Sequence, residues 1–219
     1  TDSFTYSVNL VDVNDEPPVL DETVSLVVSE DAAVNAVAGT ILASDADACD
    51  GLNGNCSSET TTFSITGGTG SSLFDIDATS GVVDVASGAS FDYETTQNYT
   101  LDVQVTDANS ATDSFIYTVS ILDLNDEAPV IDESDTLTVS EDAAENAVAG
   151  TISASDADAC NGLSGNCSAE TLTFSITGGT GQSHFDIDAT SGVVDVSATA
   201  ALDYDSSSFL TLVVTVTDA

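Results

Sequence analysis

Two tandem all-β domains, each a seven-stranded Greek-key sandwich, are the architecture predicted by this 219-residue sequence. Three observations predict it: apolar residues alternate at period two, Gly-rich turns separate short apolar runs, and the pattern recurs after 111 residues. Alternation puts successive side chains on opposite faces of a strand, so one face can be buried and the other wet. In order, strands are expected at 24–29, 37–43, 61–65, 74–77 and 82–85. Tyr99, Leu101, Val103 and Val105 alternate with polar residues in a sixth, and Phe115, Tyr117, Val119 and Ile121 in a seventh. Gly67-Gly-Thr-Gly and Ser80-Gly mark turns, and no stretch has helical periodicity. About seven short strands in a period of this length fit a β-sandwich.

Sliding the sequence by 111 residues makes about 75 of 108 aligned positions identical, without gaps. That period is a whole domain rather than a solenoid repeat. Residues 1–11 match 112–122, so 1–13 are expected to be the last strand of a preceding repeat. Residues 14–124 then form a complete repeat, and 125–219 a second lacking its last strand. Two periods would need 222 residues, and the expectation is a window from a longer natural array. The rival expectation is separate subunits that donate a strand to one another.

The chain has no Lys or Arg, 38 acidic residues and a net charge of −38. With 42% hydrophobic residues it has enough apolar matter for packed cores, so it is not in the disordered class. An all-acidic surface does not suit nucleic acid or anionic lipid, whose binding needs basic side chains. It suits cations, or a salty medium that screens repulsion. No apolar run reaches the roughly 18 residues of a membrane span, so no direct membrane contact is expected from this segment.

Asp12-Val-Asn-Asp-Glu-Pro-Pro recurs as Asp123-Leu-Asn-Asp-Glu-Ala-Pro. Proline stops a strand, and the carboxylates and Asn amide offer hard oxygen ligands with no basic residue to pair them. Each repeat adds a Val-Ser-Glu (Glu30, Glu141), an Asp-x-Asp (Asp45 and Asp47, Asp156 and Asp158), an Asp-Tyr-acid (Asp92 and Glu94, Asp203 and Asp205) and a late Asp (Asp107, Asp218). This ordered set resembles the cadherin repeat, as does Phe74-Asp-Ile-Asp-Ala-Thr-Ser-Gly-Val-Val. The resemblance covers nearly the whole chain.

The resemblance implies end-to-end sandwiches with calcium-binding linkers, about three Ca²⁺ per junction. Carried over by motif, the complete junction draws Glu30, Asp92 and Glu94 from the first repeat. The linker supplies Asn125 and Asp126 side chains and the backbone oxygens of Leu124 and Glu127, and the second repeat Asp156, Asp158 and Asp218. One carbonyl is expected from the loop at 161–164. An upstream half-junction holds Val13, Asn14, Asp15, Glu16, Asp45, Asp47 and Asp107, and a downstream one Glu141, Asp203 and Asp205. The seven carboxylates of the complete junction nearly balance three Ca²⁺. Without metal, like charges ~5 Å apart would repel by roughly 3 kcal/mol per pair at an effective dielectric near 20.

Two departures from the family pattern stand out. Glu16 and Glu127 replace the last Asn of the linker, where the family uses the backbone oxygen, and Asp205 replaces a Glu, shortening its reach. Rival calcium motifs fit worse. Asp45-Ala-Asp-Ala-Cys-Asp-Gly opens like an EF-hand, but Cys56 stands where its final Glu belongs. Gly67-Gly-Thr-Gly-Ser lacks the Asp and tandem repetition of a calcium β-roll.

Cys49 and Cys56, and likewise Cys160 and Cys167, bracket a short Gly- and Asn-rich loop after Asp-x-Asp. Their spacing favours local disulfides, each worth about 2.5 kcal/mol on loop entropy. A zinc site lacks further Cys or His ligands. Disulfides and calcium together place the chain outside the cytosol, extracellular or at the cell surface. Asn55, Asn98 and Asn166 head N-glycosylation sequons. His184, where the first repeat has Leu73, is expected at the surface.

The function these features favour is structural: calcium-rigidified repeats within a rod, stalk or filament. Its partners are calcium and either further copies end to end or neighbouring repeats of the same chain. The alternative is a calcium-dependent adhesion module, although a chain without Trp cannot use the tryptophan strand exchange of vertebrate adhesion cadherins. No enzyme is expected: one His, no Lys or Arg, and no acid pair that calcium does not explain. The missing Lys and Arg remove every trypsin site and would suit high salinity.

Overall fold

The computed structural model describes residues 1–8, 14–47, 60–158 and 171–218. They are all-β, without a helix, in two units, Thr1–Leu122 and Asp123–Ala219.

In the first unit, β1 (Val19–Leu20), β2 (Leu26–Ser29), β3 (Val37–Thr40), β4 (Ala43–Ser44) and β5 (Thr62–Gly67) come first. Then follow β6 (Phe74–Ile76), β7 (Val82–Val85), β8 (Asn98–Thr106) and β9 (Thr112–Leu122). One sheet has the order β2-β9-β8-β5 and the other β3-β7-β6, with β1 and β4 as a short extra pair. The first and last strands of the large sheet run parallel, Leu26 opposite Val119 and Ser29 opposite Leu122. All other pairings are antiparallel. The expected strand at 37–43 is interrupted: β3 pairs with β7 and ends at Thr40, whereas β4 starts at Ala43 and pairs with β1; within β3 the register shifts between Val37 and Gly39.

The inner faces of the two sheets meet in one core. Leu26, Ile41, Phe74, Val83, Leu101, Val103, Tyr117 and Val119 are essentially inaccessible. Each is worth about 1.5–3 kcal/mol of transfer free energy when fully buried. Phe74 stacks on Phe91 at 5.3 Å, and Tyr99 meets both edge-on. Tyr117 belongs to the core, yet its hydroxyl donates to the Asp21 carbonyl at 3.0 Å.

Tight turns close the sandwich. Gly81 sits at φ +69°, and a Cβ there would lie 2.2 Å from the Ile41 carbonyl oxygen. Asp77 shapes the same turn, its Oδ1 accepting the Thr79 and Ser80 N–H groups and the Ser80 hydroxyl. Those bonds hold the exposed Asp77 carboxyl below its ordinary range, the Ser80 N–H first. Asp188 repeats the turn in the second unit.

The second unit carries β10 (Val130–Ile131), β11 (Val148–Thr151), β12 (Ala154–Ser155), β13 (Thr173–Gly178), β14 (Phe185–Ile187), β15 (Val193–Val196) and β16 (Val213–Thr217). Its three-stranded sheet, β11-β15-β14, reproduces β3-β7-β6. Its other sheet is reduced to β13-β16. Residues 137–140, the counterpart of β2, form no strand, and β16 begins at Val213 whereas β8 extends back to Asn98. In the first unit both segments pair with β9, and no strand among the described residues of the second unit pairs with theirs.

Candidate metal centres

At one end of the first unit, the linker folds onto the Asp-x-Asp motif. One oxygen of the buried Asp47 accepts the N–H groups of Asp15 and Glu16, at 3.0 and 2.7 Å. Asp47 N–H in turn donates to Asp45 Oδ1 at 3.0 Å. The β8–β9 hairpin joins from the other side, where Asn109 Nδ2 donates to the Asn14 carbonyl at 2.7 Å. Within that hairpin Asp107 is buried, and its Oδ1 accepts Ala111 N–H at 2.7 Å. The structure therefore gathers Asn14, Asp15, Glu16, Asp45, Asp47 and Asp107 at one end.

The remaining oxygens carry the chemical information. Asp45 Oδ2 and Asp107 Oδ2 are buried without a hydrogen-bond partner among the described residues. A buried carboxylate oxygen lacking a donor or counter-charge is costly. No Lys or Arg exists to supply one, so the donor set fits a hard cation.

The opposite end of the first unit holds the strand-end acid. Glu30 is buried beside the Asp-Tyr-Glu segment, its Oε2 accepting Tyr93 N–H at 2.7 Å. Tyr93 packs in the core, which leaves Asp92 and Glu94 on either side exposed. Asp92 also accepts the Thr95 N–H and hydroxyl, at 2.8 and 2.9 Å. That turn-capping role was not visible in the motif, and it orients the carboxylate without using all its lone pairs.

The second unit repeats both arrangements. Asp158, 1% exposed, accepts Glu127 N–H at 3.0 Å, and its own N–H donates to Asp156 Oδ1 at 3.1 Å. Asp158 Oδ1 and Asp156 Oδ2 are buried without a partner among the described residues. Burial pushes the Asp158 carboxyl above its ordinary range, the Glu127 N–H opposes this, and the charges of Asp156 and Asp126 add to it. Asp218 follows β16 and is half-buried; Leu124 is half-buried, and Asn125, Asp126 and Glu127 are exposed. At the other end Glu141 Oε2 accepts Tyr204 N–H at 2.6 Å, and Asp203 caps Asp205 and Ser206. Glu141 and Tyr204 are both exposed here, unlike Glu30 and Tyr93.

Sequence reasoning missed Asp123, the first acid of the linker, which is only 3% exposed. The Asp that opens Asp-x-Asn-Asp in both linkers was the available signal. Val13, the four cysteines, Asn55, Asn166 and the loop at 161–164 lie outside the described residues. Asn98 opens β8, exposed, with its Oδ1 accepting the Ser120 hydroxyl at 3.1 Å. His184, expected at the surface, is half-buried, and its Nδ1 accepts Ala201 N–H at 3.2 Å.

Comparison with known proteins agrees with the fold. The cadherin domain family model matches residues 24–122 and 135–219. Human protocadherin Fat 1 is 32% identical over 222 residues, covering 100% of this chain and 4% of that protein. The Drosophila protocadherin-like wing polarity protein stan is 34% identical over 218 residues, 92% of this chain and 6% of that protein. The chain thus spans a small fraction of these relatives. The human desmocollin-1 ectodomain superposes with a TM-score of 0.70 at 22% identity, over 94% of this chain and 38% of that one. Human protocadherin-24 EC1-2 gives 0.63 at 22%, covering 94% of each chain. The chain belongs to the cadherin family, as a tandem of its extracellular repeats.

Proposed function

We propose that this tandem is a calcium-rigidified structural segment of an extracellular rod, stalk or filament, with about three Ca²⁺ at each linker. The observation that carries the reading is the set of buried, unpartnered oxygens on Asp45, Asp107, Asp156 and Asp158 in a chain with no basic residue but one His. Asp126, Asp156, Asp158 and Asp218, with the backbone oxygens of Leu124 and Glu127 and the Asn125 side chain, form the ligand set at the start of the second repeat. Glu30, Asp92 and Glu94 form the set at the end of the first, and Asp123 joins the candidates. Asn14, Asp15, Glu16, Asp45, Asp47 and Asp107 bind in the same way at the first linker, as do Glu141, Asp203 and Asp205 toward a following repeat. The ions supply charge neutralisation and a cross-link; no reaction is catalysed.

Isothermal titration of the metal-stripped chain with Ca²⁺ tests this. Saturable binding of several ions, with a rise in unfolding temperature, is expected. Absence of binding at millimolar Ca²⁺ would sink the reading.

A further inference from the structure

Within the first unit, the linker from Asn14 to Asp21 is gripped by side chains that stand outside the ordered acid series. At the β8–β9 hairpin, Asn109 Nδ2 donates to the Asn14 carbonyl at 2.7 Å. Farther along, Asp113 Oδ2 accepts Leu20 N–H at 2.9 Å, while its Oδ1 accepts Ser114 N–H at 2.8 Å. The Tyr117 hydroxyl then donates to the Asp21 carbonyl at 3.0 Å. These contacts replace a ladder that the backbone does not form. Among the described residues β1 pairs with β4 alone, and alternate N–H groups of a strand point opposite ways. Asp21 N–H meets the Leu42 carbonyl on the β4 side, so Leu20 N–H faces away from β4, toward Asp113. Between the two outer grips, one oxygen of Asp47 holds the N–H groups of Asp15 and Glu16. Pro17 and the buried Pro18 fix two further backbone angles. None of these contacts involves a cation, and together they set the course of the linker backbone before any ion arrives.

We propose, resting on the calcium reading above, that Asn109 and Asp113 are positioning residues for Ca²⁺ at the first linker. They act through the linker backbone and are not ligands. In that reading an ion holds Asp15 beside Asp45, Asp47 and Asp107, whose charges repel one another in the metal-free chain. Repulsion drives the linker outward, and the tethers at Asn14 and Leu20 oppose it. A linker already held at both ends loses less freedom when it binds, so affinity rises without a new bond to the metal. Outer-shell groups that orient ligands in this way are worth about tenfold or more in metal affinity. Tyr117 shares the grip, but it is 1% exposed and also fills the core, so its loss would disturb packing as well.

Amide resonances of the isotope-labelled chain, followed through a Ca²⁺ titration, test it. Asp45 and Asp47 report the first linker, while Asp156 and Asp158 in the second unit are the reference within the same molecule. Asn109→Ala should weaken binding at the first linker by about tenfold and leave the reference midpoint unchanged. Asp113→Ala should do the same. Asp113→Asn removes the same charge yet keeps an oxygen acceptor for Leu20 N–H, so it should retain most of the parent affinity. Asn109 is exposed in the hairpin turn, so Asn109→Ala decides the matter even where Asp113→Ala does not fold. An unchanged first-linker midpoint in Asn109→Ala overturns the inference and leaves the calcium reading intact. So does an equal loss at both reporters, which would mark a general destabilisation. Equal weakening by Asp113→Asn and Asp113→Ala would make Asp113 a charge and not a tether, and overturns its assignment. The absence of any calcium-dependent shift at either reporter in the parent chain overturns the calcium reading, and the inference with it.

Discussion

Asp158 is 1% exposed, and its Oδ1 has no partner among the described residues. Burial raises its pKa, so the fold disfavours the charge that the side chain carries at neutral pH. A cation reverses that balance. Asp158→Asn keeps an acceptor for Glu127 N–H but removes the charge. The metal-free variant should therefore melt higher than the metal-free parent. Its calcium affinity should fall by about tenfold or more, ~1.4 kcal/mol. Calorimetry with and without calcium checks both signs; a variant less stable without metal would show that the buried charge is not the dominant cost. Tyr117 supplies a second test at this scale. Burial, then the charges of Asp21, Asp113 and Glu22, push its phenol up to about 12, against an ordinary value near 10. The neutral form is favoured in the fold, so its contribution is complete below about pH 10 and is lost as pH rises toward 12. Tyr117→Phe should cost about 1 kcal/mol at neutral pH through the lost bond to the Asp21 carbonyl. It should also flatten the alkaline fall in urea midpoint between those pH values.

At the scale of the elements, the Gly81 turn shows how tightly one position couples two strands. The residue is at φ +69°, and any Cβ would meet the Ile41 carbonyl oxygen at 2.2 Å, backbone against backbone. Gly81→Ala should therefore destabilise the first unit by about 2–4 kcal/mol, combining left-handed strain with the clash. Ser87→Ala, in the exposed loop after β7, should stay within about 0.5 kcal/mol and serves as the control in denaturant unfolding. Period-two alternation made most strands legible: 74–77 and 82–85 emerged within a residue of the expected bounds. Two features were not. The residue pair β1 is too short to carry a period, and its pairing with β4 depends on the chain crossing between sheets. The parallel pairing of β2 with β9 joins residues 93 apart, Leu26 with Val119, which no local pattern encodes. That same non-local dependence explains why near-identical sequence forms a strand at Leu26–Ser29 and none at 137–140. In the candidate site, the acids were legible as an ordered motif series because spacing survives in sequence. Asp123 was not singled out, since burial at the end of β9 is a tertiary property.

Across the whole molecule, 38 acids stand against no Lys or Arg, so every medium-range charge interaction among side chains is repulsive except those involving bound cations or protonated His184. Two remedies exist, and they are separable. In the proposed reading bound Ca²⁺ would neutralise the buried acids locally, where salt screens poorly, whereas mobile ions screen the exposed ones within a Debye length of about 10 Å at 0.1 M. Chelation should therefore lower the unfolding temperature at every ionic strength. In chelator the temperature should climb steeply as NaCl is raised from about 0.01 to 1 M, where the Debye length falls from about 30 to 3 Å. With calcium saturating, the same salt series should have a shallower slope, because the densest charge clusters are already neutralised. Differential scanning calorimetry over this grid reads the two contributions as separate axes. Equal slopes with and without calcium would mean that the bound ions do not sit among the clustered acids. A chain that unfolds at low salt even with calcium saturating would mean that surface repulsion, rather than the buried sites, limits its stability.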